Sequence, residues 1–305
     1  MERMNEIQER EWGSAFLAWV KPIQVHTRVL VFDFGDERNV PREWSIPLLR
    51  GVWGNALHEQ DRRIYESVFE GPGGKTNRLP LYLIRNDLDS AGRPRRFVPG
   101  KRSVQWTVFC QESAVDEIFF RAWEAVCRNG LGEWRNTCGI AHVETYSKSL
   151  PDPSFIEAES PCRIVFTDPL RLIRKGVLNQ KPTLRDIIQA ALNRLAYLRA
   201  AAVCGNRGEL ILPAVPGTLL PDFAQSILEF THTIPSEPWY GLKHDLRRYS
   251  GRQKSEIRLN GTAGWLTFPS GLGQLSPILG AASVTHVGKG SVYGMGRPFL
   301  LTLDE

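Results

Sequence analysis

The sequence lacks the features that mark several common classes of protein. Its 305 residues contain five cysteines, and no two of them form a Cys-x-x-Cys pair, so a zinc knuckle is not expected. No apolar run reaches the roughly 18 residues that a membrane-spanning helix needs. The first residues are charged and mixed rather than basic and then apolar, so we expect no secretory leader. These absences predict a cytoplasmic protein with reduced thiols, no metal, no cofactor and no membrane partner.

The charge balance favours a polyanionic partner. There are 38 Lys and Arg residues against 33 Asp and Glu residues, and the isoelectric point is near 9.0. Arginine recurs in adjacent pairs, of which Arg247-Arg248 is one. The planar guanidinium group suits phosphate better than the point charge of lysine does.

A glycine-rich loop precedes the last apolar run of the chain. Within residues 286–297, glycines alternate with basic, aromatic and small polar residues, and consecutive amides in such a loop can face a phosphate. No strand-then-helix context surrounds the loop, so it is not a dinucleotide fingerprint. A tight turn at a sheet edge is the alternative. The loop contributes these candidate phosphate contacts: His286, Gly288, Lys289, Gly290 and Arg297.

The order of predicted elements repeats along the chain. Each half reads strand, helix, two strands, helix, strand, which is the ferredoxin-like arrangement. We therefore predict an α+β protein of tandem ferredoxin-like (RRM-like, βαββαβ) domains, with a groove between their sheets. A linker over residues 149–161 divides the chain into domains 1–155 and 156–305. The pattern at 223–230 fits either a helix or a strand.

Several ordered motifs resemble those of the CRISPR precursor-RNA processing endoribonucleases of the RAMP superfamily. In the C-terminal half the motifs are residues 168–176, 247–253, 261–268 and 286–297. The first half resembles the family less strongly, through residues 50–58 and the loop after Gly130.

This resemblance implies a function as well as a fold. Proteins of this family bind a CRISPR repeat stem-loop and cleave the RNA 3′ of the hairpin without a metal. The 2′-hydroxyl attacks the adjacent phosphate, which leaves a 2′,3′-cyclic phosphate and a 5′-hydroxyl. The mature RNA often stays bound, and the protein can join other CRISPR effector subunits.

Histidine is the residue type best suited to this chemistry, because its unperturbed pKa of about 6.5 allows it to act as base or acid. We predict His58 as the catalytic histidine, on the polar face of a helix that begins near Ser45. In many members of the family the catalytic histidine lies in or near this helix. Arg62 follows one turn later as a phosphate-stabilising cation, and His26 is the second histidine candidate. An exposed helix histidine without a role remains the alternative for His58.

An arginine-tyrosine cluster is the strongest RNA-contact candidate outside the glycine loop. Arginine pairs with phosphate or guanine, and tyrosine stacks on a base. The alternative is a solvated charged loop. The candidate residues are Arg247, Arg248, Tyr249 and Arg252, with Arg135 in the first half as a further contact.

Two rival functions remain open from the sequence. One is a catalytically inactive RAMP subunit that holds CRISPR RNA within an effector complex. The other is a nucleotide-binding metabolic enzyme, which rests on glycine spacing alone.

Overall fold

The chain forms two four-stranded antiparallel sheets, each with helices packed on one face. The computed structural model describes residues 12–66, 81–86, 96–109, 113–132, 134–150, 160–205, 220–245, 247–250 and 255–303. The predicted division at residue 155 and most of the predicted linker lie outside the described residues.

The N-terminal sheet has the strand order β2-β3-β1-β4, with all of its neighbours antiparallel. A helix at residues 12–20, α1, precedes it. The elements that follow are β1 (Gln24–Asp33), α2 (Ile46–Gln60), α3 (Arg62–Ile64), β2 (Tyr82–Asn86), β3 (Lys101–Val108), α4 (Ser113–Asn129) and β4 (Gly139–Ser149). Element order and strand order together are those of a ferredoxin-like domain.

Helix α2 forms where the sequence predicts a helix. The Ser45 hydroxyl accepts a hydrogen bond from the Leu48 amide at 3.4 Å, and a proline lies in the first turn, where its missing N–H costs nothing. Leu49, Trp53 and Leu57 are fully buried. The Trp53 ring stacks on the Trp123 ring of α4 at 5.7 Å between centroids. This aromatic contact fixes α2 and α4 on the same face of the sheet.

The C-terminal sheet repeats the arrangement, with the strand order β12-β5-β11-β8. Its elements are β5 (Cys162–Leu170), β6 (Ile173–Arg174), β7 (Val177–Leu178), α5 (Leu184–Gly205), α6 (Phe223–Phe230), β8 (Tyr240–His244), β9 (Arg247–Ser250), β10 (Ser255–Arg258), β11 (Gly261–Phe268), α7 (Ser276–Thr285) and β12 (Phe299–Thr302). The prediction of tandem ferredoxin-like domains is therefore confirmed.

The C-terminal domain settles a point that the sequence left open, because residues 223–230 form a helix, α6. The arginine-tyrosine cluster begins on a separate hairpin, β9–β10, which extends beyond the pair formed by β8 and β11.

Helix α1 joins the two domains. Trp12 contacts Phe230 at 6.0 Å and Trp19 contacts Phe223 at 5.9 Å between ring centroids, both across to α6. The Arg199 Nε of α5 donates to the carbonyl of Trp19 at 3.0 Å.

No helix in the described part of the chain is long and apolar enough to cross a membrane.

Arg194 of α5 is a charged residue in the interior of the protein. Its side chain is only 1% exposed. Its guanidinium lies 5.3 Å from the Phe109 ring centroid, and its Nε donates to the Thr285 carbonyl at 3.3 Å. Burial lowers the pKa of Arg194 to about 10, so it remains charged at neutral pH between the two domains.

Candidate active site

His58 lies exposed near the end of α2, on the line of residues that also contains Arg50 and Gly54. Helix α2 ends at Gln60. The Asp61 carboxylate then accepts a hydrogen bond from the Ile64 amide at 3.0 Å, which begins the short helix α3. This turn returns Tyr65 to His58, and their rings meet edge to face, 4.9 Å apart. The contact restricts the orientation of an otherwise exposed imidazole.

Arg50 connects this histidine to the C-terminal domain. Its guanidinium carbon lies 5.4 Å from the ring centroid of Tyr293, in the glycine-rich loop. The phenols of Tyr65 and Tyr82 also lie within electrostatic range of Arg50. Burial raises the pKa of Tyr82, so its hydroxyl is neutral at physiological pH. Arg50, two helical turns before His58 on the same line of α2, therefore lies among phenols from both domains, and Tyr65 lies near both residues.

Arg62 follows His58 by one turn, as predicted, but its guanidinium is paired. Its Nε lies 2.8 Å from the Glu66 carboxylate, and both side chains are exposed. Exposed ion pairs of this kind contribute about 0–1 kcal/mol, so a phosphate can compete for Arg62.

His26 lies on β1 at the same end of the N-terminal domain. It pairs with Val108, which pairs in turn with Tyr82, so the three residues form one row across the sheet. His26 and Tyr82 are then two strand spacings, about 10 Å, apart. Strands β1 and β2 both run antiparallel to β3, so they are parallel to each other. Helix α2 follows β1 in the chain and returns towards the start of β2. His58, near the end of α2, therefore lies at the same end of the domain as His26.

The glycine-rich loop is a packed element between the domains. The Val287 amide donates to the Gly296 carbonyl at 2.9 Å, and the Lys289 amide to the Arg171 carbonyl at 2.8 Å. A Cβ on Gly296 would lie 2.0 Å from the Val287 oxygen, so only glycine fits. Gly288 lies against the Arg171 backbone and Gly290 against the Met295 sulphur.

The structure corrects the prediction that His286 contacts RNA. Its side chain is only 1% exposed, and its Nδ1 lies 3.1 Å from the Met295 carbonyl. The residue supports the loop from inside and offers no surface to RNA. Lys289, in contrast, is exposed at the tip of the loop.

Arg297, at the end of the loop, belongs to a cluster of three charged residues. Arg85 of β2 and Arg297 lie within electrostatic range of Asp168 on β5. Burial, together with the charge of Arg297, lowers the pKa of Arg85 to about 10. Burial raises the pKa of Asp168, although the two guanidinium groups oppose the shift. This cluster joins the two sheets through a mostly buried ionic contact.

The remaining predicted RNA contacts lie farther out. Arg247, on β9, is exposed, with its Nη1 3.5 Å from the Glu256 carboxylate across the hairpin. The strand that carries Arg248 and Tyr249 is described but their side chains are not, and Arg252 lies outside the described residues. Arg135 is exposed in the first glycine loop, with a backbone φ of 48°.

The C-terminal half matches a known family. Residues 164–298 match the sequence profile of the CRISPR-associated endoribonuclease Cas6. The match lies within the C-terminal half and covers less than half of the chain. It confirms the resemblance to this family that the motifs of the C-terminal half indicate.

Solved structures extend the likeness to both halves. A Thermus thermophilus Cas6 aligns with a TM-score of 0.53 and 14% identity, over 92% of this chain and 99% of that one. A Cas6 product complex aligns with a TM-score of 0.56 and 14% identity, over 91% and 99%. A partial Cas6-RT-Cas1–Cas2 complex aligns with a TM-score of 0.54 and 9% identity, over 92% of this chain and 46% of that chain. At these identities the likeness concerns the fold alone. No curated protein sequence matches significantly.

The C-terminal domain contributes to the site a residue that the sequence did not single out. Tyr293 belongs to this domain but contacts Arg50 of the N-terminal domain. Arg50 precedes His58 by two helical turns, so its spacing places both on one face. The spacing does not reveal that this face meets the glycine-rich loop, because that contact joins distant parts of the chain.

The buried His286 predicts a pH dependence of stability. Burial and the charges of Arg85, Arg297 and Arg194 lower the pKa of His286 well below its usual value, against the Met295 carbonyl, which raises it. The unfolded chain binds this proton near pH 6.5. The contribution of His286 to stability is therefore complete above about pH 6.5 and is lost as the pH falls towards the lower pKa of the folded state.

We expect the free energy of unfolding to fall more steeply below pH 6.5 in the native protein than in His286→Gln, by up to about 1.4 kcal/mol per pH unit. Urea denaturation at pH 7 and at pH 5 gives the fall in the free energy of unfolding for each protein. The fall in the native protein is then compared with the fall in His286→Gln. An equal fall in both proteins would show that His286 does not remain neutral in the interior.

Proposed function

We propose that the protein is a metal-independent endoribonuclease that binds a CRISPR repeat stem-loop and cleaves the precursor RNA 3′ of the hairpin. The Cas6 match over residues 164–298 carries this proposal. The arrangement around His58 supports it, because an exposed imidazole lies beside Tyr65 on the helix whose Arg50 contacts Tyr293 of the second domain.

In the proposed reaction the 2′-hydroxyl attacks the neighbouring phosphorus and the bond to the 5′-oxygen breaks. A base accepts the 2′-hydroxyl proton, and an acid donates a proton to the leaving 5′-oxygen. The products are a 2′,3′-cyclic phosphate and a 5′-hydroxyl. His58 acts as the general base or acid, and His26, at the same end of the domain, is the second candidate for such a role.

The phosphorane that forms during this attack carries extra negative charge, and cations stabilise it. Arg62 is the exposed cation nearest to His58 along the chain, and its pair with Glu66 is weak enough to exchange for phosphate. Arg50 is largely buried and holds its charge next to Tyr65 and Tyr293. We assign it the role of positioning Tyr65 and the loop rather than of contacting RNA.

The stem-loop is held mainly by residues of the C-terminal domain in this proposal. Lys289 and Arg247 are exposed and supply charge for the phosphate backbone. Arg248 and Tyr249 belong to the same strand as Arg247, and Arg252 follows them in the sequence. Arg297, Gly288 and Gly290 shape the loop that presents Lys289, and Arg135 adds a contact from the first domain.

We further infer that the cleaved RNA stays bound and can pass to other CRISPR proteins. One structural neighbour is a Cas6-RT-Cas1–Cas2 complex, in which the Cas6 is part of a larger chain. The alternative function is a catalytically inactive subunit that binds the RNA without cutting it.

Incubation of the purified protein with its repeat RNA in EDTA tests the proposal. We expect cleavage at one position 3′ of the hairpin, with a 2′,3′-cyclic phosphate on the upstream product. Tight binding without any product would favour the inactive subunit. Cleavage that appears only after a divalent ion is added would contradict the proposed mechanism.

A further inference from the structure

The C-terminal sheet has one face that its helices do not cover. Residues alternate along each strand, so Ile164 and Phe166 of β5 and Leu266 of β11 are buried under the helices. Their neighbours Arg163, Val165 and Trp265 point to the other face and are only partly buried.

One row of this open face is unusually aromatic. Phe299 of β12 pairs with Val165, Val165 pairs with Trp265, and Trp265 pairs with Tyr240 of β8. The row crosses all four strands and spans three strand spacings, about 14 Å. The rings of Tyr240 and Trp265 are 4.4 Å apart between centroids. We call this row, Phe299-Val165-Trp265-Tyr240, the aromatic row.

Guanidinium groups accompany two of the three rings. The Arg163 guanidinium carbon lies 5.7 Å from the Trp265 centroid, and that of Arg297 lies 4.5 Å from the Phe299 centroid. The described residues of this face include no carboxylate in the aromatic row or in the strand positions flanking it, which are Arg163, Thr167, Ala263, Thr267, Leu242 and Leu301.

The face exposes apolar groups that a sheet normally covers. Tyr240 is 67% exposed, Leu242 76% and Leu301 53%. Exposed rings next to a guanidinium group, with no carboxylate among the described residues of the row and its flanking strand positions, are features that bind single-stranded nucleic acid. Bases stack on the rings, and the cations attract the phosphates.

We propose that the aromatic row is a stacking platform for unpaired nucleotides of the RNA outside its stem-loop. Its position fits this role, because β8 leads directly to the hairpin that carries Arg247, and β12 directly follows the glycine-rich loop. RNA held by these two elements can continue onto the open face. This inference rests on the proposed RNA binding but not on cleavage.

A fluorescein-labelled ten-residue oligouridine tests the platform with the full chain. We expect Tyr240→Ala to weaken its binding about 10-fold, the effect of losing one stacked base. Tyr240→Phe keeps the ring and should bind within twofold of the native protein. Leu242→Ala is the matched control, since it removes a side chain at least as exposed from the same strand and face but no ring, and it should also bind within twofold.

Photocrosslinking gives a second readout that does not depend on a variant. An oligouridine with 5-iodouridine should crosslink to peptides that contain Tyr240, Trp265 or Phe299. Crosslinks confined to other peptides, or native affinity in Tyr240→Ala, would overturn the platform. An equal loss in Leu242→Ala would also overturn it and would favour a protein-binding surface.

The failure of this inference is distinguishable from that of the proposed function. A protein that cleaves repeat RNA but does not bind oligouridine lacks only the platform. A protein that neither cleaves nor binds the repeat RNA lacks both.

Discussion

Replacement of His58 by alanine should lower the rate of repeat-RNA cleavage by a factor of about 100 or more, the loss expected for a general acid or base. RNA affinity should remain within about twofold, because the predicted stem-loop contacts lie in the glycine-rich loop, the β9–β10 hairpin and at Arg135. Single-turnover cleavage with protein in excess separates the chemical step from binding.

His142→Ala is the matched control for this experiment. His142 is also an exposed histidine of the N-terminal domain, with its Nε2 3.4 Å from Glu144 on β4. It pairs with Val31, near the end of β1 opposite to His26. Its replacement should leave cleavage unchanged. Native activity in His58→Ala would remove His58 from the site and make His26 the next histidine to test.

Replacement of Gly296 by alanine should have the largest effect on stability. Gly296 has a φ of +74°, and an added Cβ would lie 2.0 Å from the Val287 backbone oxygen. The left-handed conformation alone costs a non-glycine residue about 1–2 kcal/mol, and the loop must open to relieve the clash. We expect a loss of about 3 kcal/mol or more in the free energy of unfolding, with weaker RNA binding.

Gly176→Ala separates the two contributions to this loss. Gly176 has a similar φ of +81°, but an added Cβ meets no atom within 4 Å. Its replacement should cost only about 1–2 kcal/mol, the price of the backbone conformation. Urea denaturation measures both variants. Equal losses would show that the close approach at Gly296 is not what stabilises the loop.

Local patterns in the sequence were enough to predict the element order and the repeated fold. The cap at Ser45 and the buried positions of α2 are local features, and the structure confirms both. The capping interaction between Thr183 and Asp186 at the start of α5 is another local feature, with the Asp186 amide 3.2 Å from the Thr183 hydroxyl.

The environment of single charged residues was not predictable in the same way. Arg194 and His286 both carry polar side chains, yet both are buried where elements distant in sequence meet. The aromatic row has the same origin. Phe299, Trp265 and Tyr240 are separated along the chain, and only the strand register brings them together.

The central claim is that the RNA itself supplies the nucleophile. A repeat RNA with a single 2′-deoxy nucleotide immediately 5′ of the scissile phosphate tests this claim most directly. The account predicts that the protein binds this RNA with native affinity and does not cut it, even in large excess and over long incubation. Cleavage of the substituted RNA at the same phosphate would contradict the account, because the attacking group would then have to come from water or from the protein.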